Sequence, residues 1–436
     1  MLTNIETLSA LERRVTFAVP AADIEREVEK RLQQMSRTVR VSGFRPGKVP
    51  LKMMNQQYGP QVRQEVTGDA VQRSFTEVVT TQQLRVAGYP RIERTLVEND
   101  PNAMAFSATF EVYPEVTLGD IQSQNIATPD LSVAESDIDK TIDILRKQRV
   151  TFADVDRTAQ SEDRVTIDFK GSIDGVEFPG GSGGDMPVVI GTGRMLPDFE
   201  AGLLGVKNGE VKTFSVNFPA DYGGQDVAGK TAQFEITVKK LEGPVLPEVD
   251  AEFAKTLGVE DGDLIKMRAE VRANVEREVK KRVEADVKNK VMEVLIASTP
   301  LELPKALVEM EAQRVMESAK ADLEQRGIKM EQLPISPEVF QDQAKRRVTL
   351  GLIIGKLVEQ HGLSAKPEQV RALVDDYAES YEQPAEVVKW AYSDPQRLAE
   401  FEGMAVEANV VAWVLQNAKV EKAATSFDEL MGRTAG

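Results

Sequence analysis

Val165-Thr166-Ile167-Asp168-Phe169 alternates apolar and polar side chains, and Phe234-Glu235-Ile236-Thr237-Val238 repeats the pattern further down the chain. A period of two puts every second residue on one face of a strand, so both stretches read as half-buried strands of one sheet. Between them glycine is dense: Gly171, Gly175, Gly180, Gly181, Gly183, Gly184, Gly191, Gly193, Gly202, Gly205 and Gly209. Such density marks turns, and only Phe199 to Leu204 reads as a short helix. Residues 151–243 are therefore expected to form a compact β-rich domain, with Gly180 to Gly184 as a flexible loop.

On the N-terminal side, residues 1–113 read as α+β. Val15, Phe17 and Val19 alternate as in a strand that Pro20 closes, and Phe106, Ala108, Phe110 and Val112 do the same. Ile24, Val28, Leu32 and Met35 share one helical stripe, with Asp23 as the expected N-cap. A second helix is expected after Pro60, and a further strand over 91–97. Helices bracketed by strands imply a small antiparallel sheet with helices on one face. Residues 114–150 read as a polar linker followed by a helix over 136–149.

Residues 244–436 read as all-helical. Val271, Val275, Val279, Val283, Val287 and Val291 recur every fourth residue among charged neighbours. A step of four drifts by about 40° on a 3.6-residue helix, so the seam winds slowly round an arm with one contact face. Leu350 to Val358 and Met404 to Leu415 are apolar enough to be the buried helices of this part, and prolines 304, 337, 367, 384 and 395 stand at helix starts. Met267, Met292, Met310, Met316 and Met330 are compatible with an adaptable apolar surface. The fold class is thus multidomain α+β: an N-terminal α+β domain, a β-rich domain and an all-α C-terminal domain.

Composition narrows the chemistry. The 436 residues are 41% hydrophobic and 28% charged, with a net charge of −16, which suits a folded protein of about three domains and disfavours general affinity for nucleic acid. Cysteine is absent and His361 is the single histidine. Thiol catalysis, Ser-His-Asp catalysis and multi-imidazole zinc sites are thereby excluded, and no metal is expected. His361 reads as a surface or helix-end residue. The N-terminus has no signal-peptide pattern and no run of about eighteen apolar residues occurs, so a cytoplasmic protein without a membrane segment is expected. No Gly-Lys-Ser/Thr phosphate loop is present, so no nucleotide cofactor is expected.

Against this acidity, the 35 residues from Lys30 to Gln64 hold eight basic side chains (Lys30, Arg31, Arg37, Arg40, Arg45, Lys48, Lys52 and Arg63) and no acidic one. At the centre, Gly43-Phe44-Arg45-Pro46-Gly47-Lys48-Val49-Pro50 has two glycines and two prolines to turn and stiffen a hairpin that lifts Phe44, Arg45 and Lys48 outward. An exposed aromatic among cations suits an interface of RNA and protein. A solvated helix–loop–helix is the other reading of the same residues.

The string GFRPGKVP resembles the ribosome-binding signature of trigger factors, roughly Gly-Phe-Arg-x-Gly-x-x-Pro. Gly43, Phe44, Arg45, Gly47 and Pro50 match it, and Pro46 and Lys48 fill variable positions. The resemblance implies docking beside the nascent-chain tunnel exit of the large subunit, on a ribosomal protein and adjoining RNA. IDFKG (167–171), MLPDFEAGLLG (195–205), FPADYG (218–223) and AQFEITV (232–238) are similar to FKBP-type prolyl isomerases. Carried across, a catalytic cleft would be formed by Phe169, Phe178, Ile190, Phe199, Tyr222 and Phe234, with Met186, Val189, Met195 and Leu196 lining the substrate pocket. Pro179 stands where FKBPs have an acidic residue. The aromatics also read simply as the core of a small β domain.

An apolar cleft suffices for this chemistry. Rotation about X–Pro is opposed by a barrier of roughly 18–20 kcal/mol because amide resonance is lost in the twisted state. Moving the amide out of water disfavours its polar planar form relative to the twisted one. The resemblance as a whole implies an ATP-independent chaperone for nascent polypeptides with prolyl isomerase activity, and leaves open whether the free protein is a homodimer. Competing readings are a stand-alone FKBP-type isomerase with accessory domains, which needs no GFRPGKVP loop, and an RNA-binding regulator, which the net charge opposes.

Overall fold

Val15, Phe17 and Val19 fall on the buried face of strand β2 (Glu12–Pro20), as their alternation requires. The computed structural model describes residues 4–39, 44, 49–95, 103–224, 226–327 and 336–432. With β1 (Asn4–Thr7), β3 (Val86–Thr95) and β4 (Ala103–Val112), β2 forms an antiparallel sheet in the order β1-β2-β4-β3. Phe17 lies opposite Phe106, their rings 6.2 Å apart. Helices α1 (Ala21–Thr38) and α2 (Leu51–Thr81) cover this face through Ile24, Val28, Leu32, Val62, Val66 and Phe75.

Two local expectations fail here. The cap of α1 is Pro20, and Asp23 sits in the first turn, where the helix dipole favours a carboxylate. Helix α2 begins after Pro50 and carries Pro60 inside it. An internal proline costs about 3 kcal/mol. The turns before it bury Met54 completely, and a buried methionine is worth about 2–5 kcal/mol. Core burial therefore carries the helix through its proline.

Contacts divide the chain into two units: 1–128 with 285–423, and 129–284 with 424–436. In the first, the α+β sheet shares a unit with α7 (Lys305–Gln325), α8 (Gln341–His361), α9 (Pro367–Ala378), α10 (Pro384–Tyr392) and α11 (Pro395–Asn417). Glu111 of β4 accepts from the Ala306 backbone N–H at 2.8 Å. The 114–129 connection is less polar in structure than in sequence, because Ile121 and Ile126 pack with Ile353, Leu357, Val410 and Val414. Helices α8 and α11 each serve two clusters: Ala344 packs with Val308 and Ala312, Phe401 and Ala405 pack with Val370 and Val374, and Ile353, Leu357, Val410 and Val414 share a third core, while Met404 is exposed. Proline opens α9, α10 and α11, and His361 ends α8, its ring 4.2 Å from that of Trp413. One strand interrupts the helical region: β11 (Lys419–Ala424) pairs with β5 (Asn125–Asp130).

The second unit contains α3 (Glu135–Lys147), α5 (Ala251–Thr256), α12 (Phe427–Leu430) and the β-rich part. The latter comprises β6 (Thr151–Asp154), β7 (Arg164–Ile173), β8 (Val176–Val189), α4 (Pro197–Leu203), β9 (Val211–Asn217) and β10 (Thr231–Val245). Its sheet runs β6-β10-β7-β8, with β9 and β6 on successive stretches of β10. Helix α6 (Leu264–Ser298) belongs to both units. Val271, Val275 and Val279 pack with Ile138, Ile142, Phe253 and Phe427, whereas Val287 and Val291 pack in the Ile353–Val414 core. The expected single seam thus serves two cores.

Glu242, only 4% exposed, joins β10 to β7. Arg164 donates to it twice, at 2.8 and 2.7 Å, and Lys240 once at 2.9 Å. The Arg164 hydrogen bonds, then that of Lys240, hold its carboxyl at about 2 against an ordinary 4.5. A carboxyl depressed by folding stabilises fully above its unfolded value and loses that contribution as pH falls through the folded one. The Glu242→Gln variant is therefore expected to show faster hydrogen exchange in β7 and β10 than the parent at pH 6, with the gap closing toward pH 2. A gap independent of pH would contradict this assignment.

Candidate functional site

The cleft is built where β7 and β8 fall out of step. Between the pairs Lys170–Ser182 and Ser172–Glu177, β7 has one residue, Gly171, and β8 has four. The stretch read from sequence as a flexible glycine loop is thus part of a bulged strand, and Pro179 sits in the bulge, where a missing N–H is tolerated. The glycines make room for rings. A Cβ on Gly171 would lie 2.7 Å from the Phe234 ring and 3.0 Å from that of Phe178; one on Gly183 would lie 2.8 Å from Phe169.

Around this bulge the aromatics form one cluster. Phe199 of α4 stands edge-on to Phe234 at 5.2 Å, Phe214 at 5.5 Å and Phe169 at 6.3 Å. Phe178 meets Phe218 and Phe234, each at 6.1 Å, and Phe218 meets Tyr222 at 4.9 Å. Exposure grades across the cluster. Phe199 and Phe234 are 3% and 6% exposed, and Ile190 is buried with them; Phe169 and Phe178 are half-buried, and Tyr222 is 43% exposed. The first three are a floor shared with the domain core, and the others form a rim.

Met186, Met195 and Leu196 pack against the same cluster. Val189 does not share its face: it pairs with Arg164, and the period of two turns it away from Val188 and Ile190. Sequence reasoning passed over Phe214 and Phe218. Phe218 opens the FPADYG string and Phe214 lies in the alternating run of β9, so both carried a signal. Two surface grooves, about 600 Å³ bordered by Glu25, Leu32, Lys52 and Arg63 and about 410 Å³ bordered by Lys140, Arg146, Leu246 and Asp428, share no residue with this cluster. Volume alone does not locate the chemistry.

In the basic window, Phe44 is 38% exposed; Gly43, Arg45, Pro46, Gly47 and Lys48 lie outside the described residues. Acids from outside the window reach three of its bases. Arg31 pairs with Asp69 at 2.5 Å, Lys30 with Glu27 at 3.1 Å, and Arg63 with Glu25 through two hydrogen bonds. The Arg63 hydrogen bond lowers the Glu25 pKa. Arg37 and Lys52 make no ion pair among the described residues. Of the methionines expected on a surface, Met267, Met292 and Met316 are core, Met310 is exposed and Met330 lies outside the described residues. Other exposed apolar groups of the helical region include Ile265 and Val339 and a run of Tyr377, Tyr381, Trp390, Tyr392 and Met404.

A bulged antiparallel sheet crossed by a short helix, with an aromatic floor opening to a tyrosine rim, defines an FKBP-type domain. Residues 155–239 match the family model of the FKBP-type peptidyl-prolyl cis-trans isomerases. Flanking it, residues 1–145 match the model for bacterial trigger factor protein and 263–416 that for its C-terminus. A curated trigger factor of Dechloromonas aromatica is 55% identical over 97% of both chains, and that of Aromatoleum aromaticum 54% over the whole of both. A solved structure concerned with promiscuous substrate recognition by the trigger factor chaperone aligns over 95% of this chain and 99% of its own, at 18% identity and a TM-score of 0.48. The chain belongs to the bacterial trigger factor family. It is a chaperone with a ribosome-binding N-terminal domain and an FKBP-type peptidyl-prolyl isomerase domain.

If Gly171 is the space that the two rings need, Gly171→Ala must push Phe178 or Phe234 aside. Overpacking of this kind costs about 1–3 kcal/mol. Urea titrations followed by hydrogen exchange of β7 and β10 should show a loss of that size, and an unchanged midpoint would mean the bulge has slack.

Proposed function

We propose that the chain docks on the large ribosomal subunit at the tunnel exit through Gly43 to Pro50, in the cytoplasm, and receives nascent polypeptides there without using ATP. The division of labour follows the domains read from sequence: 1–113 docks, 114–150 connects, 151–243 isomerises X–Pro bonds, and 244–436 holds unfolded chain. The observation that carries this reading is the conjunction, in one chain, of an exposed Phe44 inside an acid-free window and an aromatic cleft graded from open rim to closed floor. An RNA-binding regulator is disfavoured further, because three of the eight bases are already neutralised by neighbours. The exposed aromatics at 377–404 supply a surface for unfolded segments. Off the ribosome, exposed apolar groups of this kind favour a homodimer.

At the cleft, Phe169, Phe178 and Tyr222 face the substrate over a floor of Ile190, Phe199 and Phe234, with Met186, Met195 and Leu196 at the edges. The floor excludes water from the prolyl amide, which weakens the preference for its polar planar form. Tyr222 offers its hydroxyl to the twisted carbonyl. No proton changes hands, so no titrating group is needed.

Replacing Phe44, Arg45 and Lys48 together by alanine should abolish co-sedimentation with ribosomes while leaving peptide isomerisation intact; undiminished co-sedimentation would sink the docking claim. For the cleft, Tyr222→Ala is a cleaner probe than Phe199→Ala, because truncating a buried phenylalanine costs about 3–5 kcal/mol of stability. Losing one hydrogen bond to the twisted amide is expected to slow catalysed, proline-limited refolding by about tenfold. Equal rates would remove Tyr222 from the site.

A further inference from the structure

Phe199 is flanked in sequence by two carboxylates, and each reaches a different side of the cleft. Glu200 is buried, 8% exposed, and among the described residues no cation lies within ion-pair distance of it. Its two oxygens instead accept backbone N–H groups of the loop that carries Met195 and Leu196: Oε2 from Gly191 at 2.9 Å and Oε1 from Met195 at 3.3 Å. That loop turns on two left-handed glycines, Gly191 (φ 85°) and Gly193 (φ 68°), so its own backbone preference fixes little. On the other side, Asp198 Oδ2 accepts from Asn217 twice, from its backbone N at 3.0 Å and its side-chain Nδ2 at 2.8 Å. Asn217 in turn accepts from Thr231 Oγ1 at 2.7 Å and directly precedes Phe218 and the turn to Tyr222.

A buried carboxylate without a cation is costly unless its lone pairs are satisfied. Here backbone donors at a rim satisfy them, so the expense of burying Glu200 is tied to the geometry of that rim. We infer that Glu200 and Asp198 are positioning residues of the isomerase cleft. From either side of Phe199 they clamp the 191–196 loop and the 217–222 turn at a fixed separation across the floor, which sets the fit to the residues bracketing the proline. This rests on the isomerase reading of the same cleft.

Apart from the Tyr222 hydroxyl, the rim contacts a peptide in its planar and its twisted states alike, so loosening the rim removes mainly uniform binding. Uniform binding appears in KM and not in kcat. Partial unfolding does the opposite: it removes active molecules, lowering kcat at constant KM. The test is steady-state isomerisation of X–Pro peptides by the full chain, for the parent, Glu200→Gln and Asp198→Ala, with hydrogen exchange of the Met195 and Phe218 amides. In Glu200→Gln the new side-chain NH2 replaces one acceptor opposite a backbone donor. It should raise KM about tenfold with kcat within about twofold, and speed exchange at Met195 but not at Phe218. Asp198→Ala should raise KM similarly, with a fall in kcat alongside it because the turn carries Tyr222, and speed exchange at Phe218 but not at Met195. Unchanged KM in both variants, or a fall in kcat at constant KM, overturns the positioning role. A parent chain inactive on every X–Pro peptide overturns the isomerase reading itself, and this inference with it.

Discussion

A valine every fourth residue cannot stay on one side of an α-helix, and much of this protein is arranged around that mismatch. Over α6 the stripe rotates by about 40° at each step. Val271, Val275 and Val279 therefore serve one core and Val287 and Val291 another. Ion pairs of Arg268 with Glu135 and Asp139 tie the first half to α3, and Lys288 with Glu407 ties the second to α11. Exposed pairs of this kind add little stability. They fix which neighbour each half meets, while the valines provide the burial. One sequence rule, read along one helix, assigns it to two units.

The isomerase domain shows how a site without titrating groups is held. Its floor is core, and on the proposed reading also the catalytic surface: Phe199 stands edge-on to Phe234 and Phe169 at 5.2 and 6.3 Å. Stability and chemistry thus draw on the same rings, which is why the rim is where function can vary at small cost to the fold. The glycines of β8 belong to this logic. A Cβ on Gly181 or Gly183 would lie 2.8 Å from the ring of Phe178 or Phe169, so these two positions leave the rings their space.

What could be read in the sequence was whatever rests on a local period or a local string. Alternation located β2, β4, β7 and β10. The misreadings share a cause: each depended on what lies far away in the chain. Pro60 is tolerated because Met54 is buried in the core, and Gly180 to Gly184 are strand because the stretch pairs with β7, with Gly181 and Gly183 leaving space for Phe178 and Phe169. Ile121 and Ile126 are core because α8 and α11 cover them. Of the aromatic cluster, the rings were named through family likeness, but a string does not say which face a residue takes, and Val189 points away from Val188 and Ile190. Glu200 gave no signal, since a lone glutamate in a short helix looks like a solvated one.

The basic window is likewise sharpened by its neighbours. Eight cations and no acids suggest a strong anion-binding face, but Glu25, Glu27 and Asp69, each outside the window, neutralise Arg63, Lys30 and Arg31. Among the described residues of the window, Arg37 and Lys52 make no ion pair. In a chain of net charge −16 this has a consequence. Attraction to phosphate is confined to one small area and does not spread over the helices, so non-specific adhesion to RNA stays weak. On the proposed docking, a contact confined to one small area gains from an apolar anchor, and Phe44 is exposed. On that same proposal, acidity across the rest of the surface takes part in docking, because it removes the alternatives.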